Sequence, residues 1–212
     1  MQGNGSRTTA LDHPESHLDE DAALLEARAR GADFGCVPVT PHTGATLRFL
    51  ATALRARAVV EVGTGTGVSG LWLLRGMAPD GVLTSIDVEP ELQRAARAAF
   101  LADGFPPGRL RLINGMALDV LPRLADGAYD LVFVDAVTAE YPRYLDEAIR
   151  LLRPGGVVAM PGAATTAETE PAAHDPFRHA LREVRRICQE HDQLVSLLLP
   201  VDEGLLLAAK AL

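Results

Sequence analysis

Glu61, Gly63, Gly65, Gly67, Ser69 and Asp87 are the residues of this chain whose types and spacing point most directly to chemistry. Glycine at every second position of Gly63-Thr64-Gly65-Thr66-Gly67 lets a ligand approach the backbone, and a helix opening near Ser69 presents free N–H groups beside it. A turn of this kind between a strand and a helix cradles a nucleotide. The elements that must position it lie on either side. Val59-Val60-Glu61-Val62 is β-prone and runs into the turn, and Val68-Ser69-Gly70-Leu71-Trp72-Leu73-Leu74 opens the helix.

The glycines alone leave the nucleotide open. Gly65, Gly67 and Gly70 spell G-x-G-x-x-G, which also fits NAD. Two acids tilt the choice. Glu61 sits where a dinucleotide site is usually apolar, and Asp87 ends the next strand, Val82–Asp87, where a carboxylate accepts both ribose hydroxyls. Acid-x-Gly-x-Gly-x-Gly followed by a strand-ending acid resembles the motifs of class I S-adenosylmethionine (SAM) methyltransferases. That ligand carries an amino group and a sulfonium, so carboxylates suit it better than a helix end aimed at pyrophosphate.

The chain of 212 residues fits one α/β domain, with residues 18–212 as the domain and 1–17 as a polar, flexible tail. A formal charge of -8 argues against a nucleic-acid groove, which needs clustered Lys and Arg. No apolar run is long enough to span a bilayer, and the polar N-terminus does not read as a signal peptide. Cys36 and Cys188 have no pairing pattern and read as reduced thiols, so a cytoplasmic location is expected.

Strand and helix alternate along the domain. Strands are expected at Ala58–Val62, Val82–Asp87, Leu110–Ile113, Leu131–Asp135 and Val157–Met160, with helices at Ser69–Met77, Pro90–Ala102, Ala117–Leu124 and Tyr141–Leu152 between them. Two helices, Leu18–Gly31 and Ala45–Arg55, precede the first strand; the second follows Thr40-Pro41-His42-Thr43-Gly44. Arg153-Pro154-Gly155-Gly156 stops the fourth interstrand helix and turns the chain. After a long Ala/Thr/Glu-rich loop, Pro161–Pro176, a helix at Phe177–His191 leads to two apolar strands, Val195–Pro200 and Leu205–Ala209, joined as a hairpin by Val201-Asp202-Glu203-Gly204. This alternation predicts a doubly wound, Rossmann-like α/β fold with helices on both faces of a mainly parallel sheet.

From about Leu18 to the end, the chain resembles the catechol and caffeoyl-CoA type O-methyltransferases. The residues that carry the resemblance are Val39-Thr40-Pro41 with Gly44, Glu61 to Gly67 with Ser69, Ser85-Ile86-Asp87, Asn114-Gly115-Met116-Ala117 with Val120-Leu121-Pro122, Tyr129 to Ala136, and Leu152-Arg153-Pro154-Gly155-Gly156. The resemblance implies a seven-stranded sheet with its last strand antiparallel, a homodimer, and SAM as methyl donor, released as S-adenosylhomocysteine (SAH). It also implies site roles. Glu61 with Gly63, Thr64, Gly65, Thr66 and Gly67 would line the methionine portion and ribose, and Ser69 and Thr40 would sit near the carboxylate. Asp87 would hold the ribose hydroxyls, and Gly115, Met116 and Ala117 would border the adenine. Asp135 would close the site at the end of the fourth strand.

Catalysis departs from the family pattern. Family members hold a divalent cation with the strand-four aspartate and an Asp-Asn pair ending strand five, a hard oxygen site. Asp135 is present here, but Pro161-Gly162 takes the place of the pair, and Thr138 stands where the family has a lysine proposed as base. One carboxylate from three ligands does not hold Mg²⁺, so no divalent metal is expected. Glu168, Glu170, His174 and Asp175 occupy the loop that would cover this end of the sheet. Of these His174, with an ordinary pKa near 6.5, is the candidate base beside Asp135, or the four together could rebuild a metal site; a solvated polar loop is the plainer alternative to both. His42 lies beside the cofactor entrance but reads first as a structural turn residue, and Tyr141 and Tyr144 could face substrate or equally pack as ordinary aromatics. The expected activity is O-methylation of a small hydroxylated acceptor. A SAM-binding protein without turnover and an NAD oxidoreductase remain the alternatives.

Overall fold

The computed structural model describes residues 18–163 and 175–212. The expected tail, and Glu168, Glu170 and His174 of the long loop, lie outside the described residues.

Two helices lead into the sheet: α1 (Ala22–Asp33) and α2 (Pro41–Ala53). The second starts four residues earlier than its apolar pattern suggests. Pro41 takes the first helical position and Thr40 caps it, its side chain accepting from the Thr43 N–H. The alternating units follow as β1 (Ala58–Val62), α3 (Val68–Gly76), β2 (Val82–Asp87), α4 (Pro90–Ala102) and β3 (Leu110–Asn114). Next come α5 (Ala117–Val120), β4 (Tyr129–Val134), α6 (Tyr141–Leu151) and β5 (Leu152–Pro161), then α7 (Pro176–Glu190), β6 (Leu194–Leu199) and β7 (Leu205–Lys210).

The first helix also starts later than expected, at Ala22 and not Leu18, because Asp21 caps it by accepting from the Leu24 N–H. Two further expectations need correction. The helix expected over Ala117–Leu124 is one turn of α-helix followed by a 3₁₀ turn at Leu121–Arg123, because Pro122 has no N–H to continue the ladder. Arg153-Pro154-Gly155-Gly156 does not separate α6 from the fifth strand but lies inside β5 as a bulge. Tyr129 pairs with Leu152 and Leu131 with Val157, so the extra residues loop out between the two pairs.

The seven strands lie in the order β3-β2-β1-β4-β5-β7-β6, with β7 antiparallel to both of its neighbours. The expected seven-stranded fold with an antiparallel last strand is thus present, and the hairpin of β6 and β7 with it. Adjacent residues of a strand face opposite sides. Val60, Val132 and Val158 pack with α6 and α7 on one face, while Val59, Phe133 and Ala159 pack with α2, α3 and α4 on the other. Burying each of these Val and Phe side chains stabilises the fold by roughly 1.5–3 kcal/mol. The chain runs outward from β1 through β2 to β3 and then returns to β4 on the other side of β1. At that switch point the loops after β1 and β4 diverge and leave a crevice.

Candidate active site

The crevice is built around Gly63. Its N–H donates to Ile86 O at 2.9 Å, and the Asp135 N–H donates to Val62 O at 2.8 Å, so the ends of β1, β2 and β4 are tied together. A Cβ on Gly63 would lie 2.0 Å from the Asp135 carbonyl oxygen, and its φ of 93° is one that side chains rarely adopt. Only glycine fits.

The hydroxyls of the turn face the scaffold. Thr64 and Thr66 are each 1% exposed. Thr66 Oγ1 donates to Ala27 O of α1 at 2.7 Å, and Thr64 Oγ1 lies 2.7 Å from Ser85 Oγ. Glu61 stands beside Ser85 in the parallel register and is fully buried. Ser85 Oγ donates to Glu61 Oε2 at 2.5 Å and Ser69 Oγ donates to Oε1 at 2.7 Å. Since Ser85 gives its one hydrogen to Glu61, it accepts from Thr64. Burial pushes the Glu61 pKa up to about 7, against the two serine hydrogen bonds that favour the charged form. Glu61 therefore lies behind the cavity wall, where it ties the turn to β2 and α3, and does not line the cavity as expected.

The first chamber, about 140 Å³, is lined by Gly63 to Thr66, Val68, Ser69, Leu92, the strip Cys36-Val37-Pro38-Val39, and two carboxylates, Asp87 and Asp135. Asp87 Oδ2 accepts from the Gly65 N–H and Oδ1 from the Glu89 N–H, both at 2.9 Å. A second, more apolar chamber of about 90 Å³ adjoins it across Gly63 and Asp87 and contains Gly115, Met116 and Ala117, with Val88, Val137, Glu140 and Tyr144. Neither chamber alone reaches the roughly 300 Å³ of a ligand pocket, but they share a wall. Gly67 lines neither. Its absent side chain makes room for Phe100 and Ala96 of α4.

Asp135 sits just past the end of β4, open in part to the cavity, and burial pushes its pKa up to about 6. It also lines a third chamber, about 260 Å³, bounded by Val37 to Thr40, Thr43, Pro161-Gly162 and the β6–β7 turn Val201 to Gly204. Here Asp202 Oδ2 accepts the hydroxyls of Thr40 and, at 2.7 Å, Thr43. Thr40 thus belongs to the third chamber and not to the first. His42 is exposed beside an outer hollow, with Nδ1 4.0 Å from Asp202 Oδ1. Tyr141 is core, and Asp175 caps α7 by accepting from the Phe177 N–H at 2.9 Å. Sequence reasoning read Asp202 and Glu203 as a hairpin link only. No local pattern marks them as wall residues, because α2 reaches them across 162 positions of the chain.

Among the described residues no group of three His, Cys, Asp or Glu side chains is placed to hold a metal ion. Beside Asp135 the positions of Pro161 and Gly162 supply no side-chain oxygen. The donor set does not fit the family's cation.

A glycine cradle, a strand-end carboxylate and a switch-point crevice on a sheet of this topology define a nucleotide-binding protein of the class I methyltransferase fold. The chain belongs to the O-methyltransferase family, whose model matches residues 18–211. A relative from Mycolicibacterium vanbaalenii is 52% identical over 201 residues, covering 94% of this chain and 89% of its own length. A crystal structure from Corynebacterium glutamicum superposes with a TM-score of 0.86 at 32% identity over 93% of this chain and 94% of that one. The O-methyltransferase TomG from Streptomyces achromogenes, solved in complex with SAM, has a TM-score of 0.82 at 30% identity over 93% of each chain. The ambiguity of the glycine turn is thereby resolved in favour of methyl transfer over hydride transfer.

Proposed function

We propose that this chain transfers a methyl group from SAM to a hydroxyl of a small acceptor, with the donor in the first and second chambers and the acceptor in the third. The observation that carries this reading is the charge of the first chamber. Asp87 and Asp135 face it, and no Lys, Arg or His lines it among the described residues. A pyrophosphate would meet two carboxylates there, whereas an amino group and a sulfonium are drawn to them. When bound, SAM supplies an electrophilic methyl group on a sulfonium.

In this reading Asp87 accepts the ribose hydroxyls while it holds the Gly65 and Glu89 amides. Gly115, Met116 and Ala117, with Val88 and Val137, border the adenine. The hydroxyl of Ser69 is committed to Glu61, so the group at Ser69 that meets the ligand carboxylate is its N–H in the first turn of α3. Asp135 is the catalytic residue: it is the charged side chain common to the donor and acceptor chambers, and it orients the acceptor hydroxyl and takes its proton. Much of the acceleration comes from alignment of donor and acceptor. A divalent metal has no part in this reading.

We assign the protein to the cytoplasm as a homodimer. Two free thiols, Cys36 and Cys188, support the location. The outer strand β6 exposes Val195 and Leu197, which a second copy would cover, and light scattering measures that assembly.

Calorimetric titration with SAH, followed by a search for SAH release with hydroxylated acceptors, tests the function. Micromolar binding with turnover is expected. Binding without any turnover would make the chain a SAM-binding protein, and no binding by a folded sample would overturn the cofactor assignment.

A further inference from the structure

The third chamber combines apolar walls with an unbalanced charge. Val37, Val39, Pro161 and Val201 supply hydrocarbon surface, and Asp135, Asp202 and Glu203 supply three carboxylates, with no Lys, Arg or His lining it among the described residues. The hydrogen bonds to Asp202 come from two neutral hydroxyls, which hold the carboxylate in place without cancelling its charge. His42 Nδ1 stands 4.0 Å from Asp202 Oδ1 beside the outer hollow and is charged only when protonated. Glu203 is exposed, and among the described residues it has no hydrogen-bond or ion-pair partner.

Asp135 is a second and independent sign of a ligand. Its carboxylate is enclosed by protein except where it faces the chambers, and among the described residues nothing donates a hydrogen bond to it. A buried carboxylate left without a partner is costly, and an incoming donor offsets that cost. The shared wall of Val37 to Val39 and Asp135 joins this chamber to the first, so a molecule here lies against the donor site.

We infer that the third chamber selects acceptors bearing a protonated amine, held by the Asp202–Glu203 turn, while their hydroxyl meets Asp135. The inference rests on the reading that the first chamber holds the methyl donor. A carboxylate or phosphate at the same position would face like charges, which suppress a wrong partner more strongly than they strengthen the right one. Acceptors activated as acidic thioesters are excluded on the same ground.

The test uses the purified chain saturated with SAH and three phenols of one shape: tyramine, 4-(2-hydroxyethyl)phenol and 3-(4-hydroxyphenyl)propionate. Calorimetry is expected to rank them in that order, with about tenfold or more between the ammonium and carboxylate probes, narrowing as salt is raised. Glu203→Gln is expected to cut that preference at least about threefold with SAH affinity unchanged. Equal or reversed affinities, no tyramine binding at millimolar concentration, or an unaltered preference in Glu203→Gln would overturn the inference while the cofactor reading stands. Failure of SAH itself to bind would remove the cofactor reading and this inference together.

Discussion

The carbonyl oxygen of Asp135 occupies the space that a side chain on Gly63 would need. The ideal Cβ position is 2.0 Å from it. The first strand therefore ends against the backbone of the fourth, and the carboxylate that follows is brought to the rim of the glycine cradle. One missing methyl group sets the distance between the first chamber and the Asp135 carboxylate.

Gly63→Ala is accordingly expected to destabilise the fold by about 3 kcal/mol or more, since it combines a backbone clash with a φ of 93°. Thermal denaturation measures it. A variant that melts with the native chain would show that the β1–β4 junction can open without cost.

Asp87→Ala removes an acceptor that holds the Gly65 and Glu89 amides and, in the proposed reading, the ribose. SAH affinity is expected to fall roughly tenfold to a hundredfold, in keeping with about 1.5–3 kcal/mol for hydrogen bonds to a charged group. Unchanged calorimetric affinity would refute the ribose assignment.

Glu61 couples stability to pH. Its folded pKa of about 7 lies above the ordinary 4.5, so the folded chain binds the proton more tightly than the unfolded chain does. The contribution is full below pH 4.5 and is lost as pH rises to about 7, a change on the order of 3 kcal/mol. Glu61→Gln carries no such group. Its melting temperature relative to the native chain is expected to rise between pH 5 and pH 8, and parallel pH curves would contradict the burial argument.

Asp135→Asn keeps the shape of the wall and removes the charge. Turnover is expected to fall by about a hundredfold or more, the range of a lost general base, while SAH affinity shifts only a few-fold. Retained turnover would move the proton acceptor elsewhere, to His174 first.

Chelation by EDTA is expected to leave the rate of SAH release within about twofold, because one carboxylate beside Pro161 and Gly162 is too small a donor set for Mg²⁺. Strong inhibition, reversed by added Mg²⁺, would show that residues outside those described complete a metal centre.

The sequence by itself determined the elements and the cradle. Val82–Asp87 and Pro90–Ala102 match their expected limits, and the turn from Gly63 to Gly67 lies between β1 and α3 as its glycines require. These features are local, set by the preferences of neighbouring residues and by the two periodicities of strand and helix. Three of the slips trace to a proline or glycine: Pro41 as the start of α2, Pro122 as the end of α5, Gly155 and Gly156 as a bulge in β5. The late start of α1, which Asp21 caps, and the early start of β4 at Tyr129 do not. The tertiary structure alone decided which way the polar side chains face. Glu61, Thr64, Thr66 and Ser69 stand in the motif that suggests ligand contact, yet their oxygens are paired with Ser85, Ala27 and one another. Asp202, unremarkable in its turn, becomes a wall of the third chamber because β7 lies antiparallel beside β5 and carries the turn to Thr40 and Thr43. A buried hydroxyl or carboxylate takes whichever partner the packed strands and helices bring within 3 Å, and that partner is fixed by strand order and register across the whole chain.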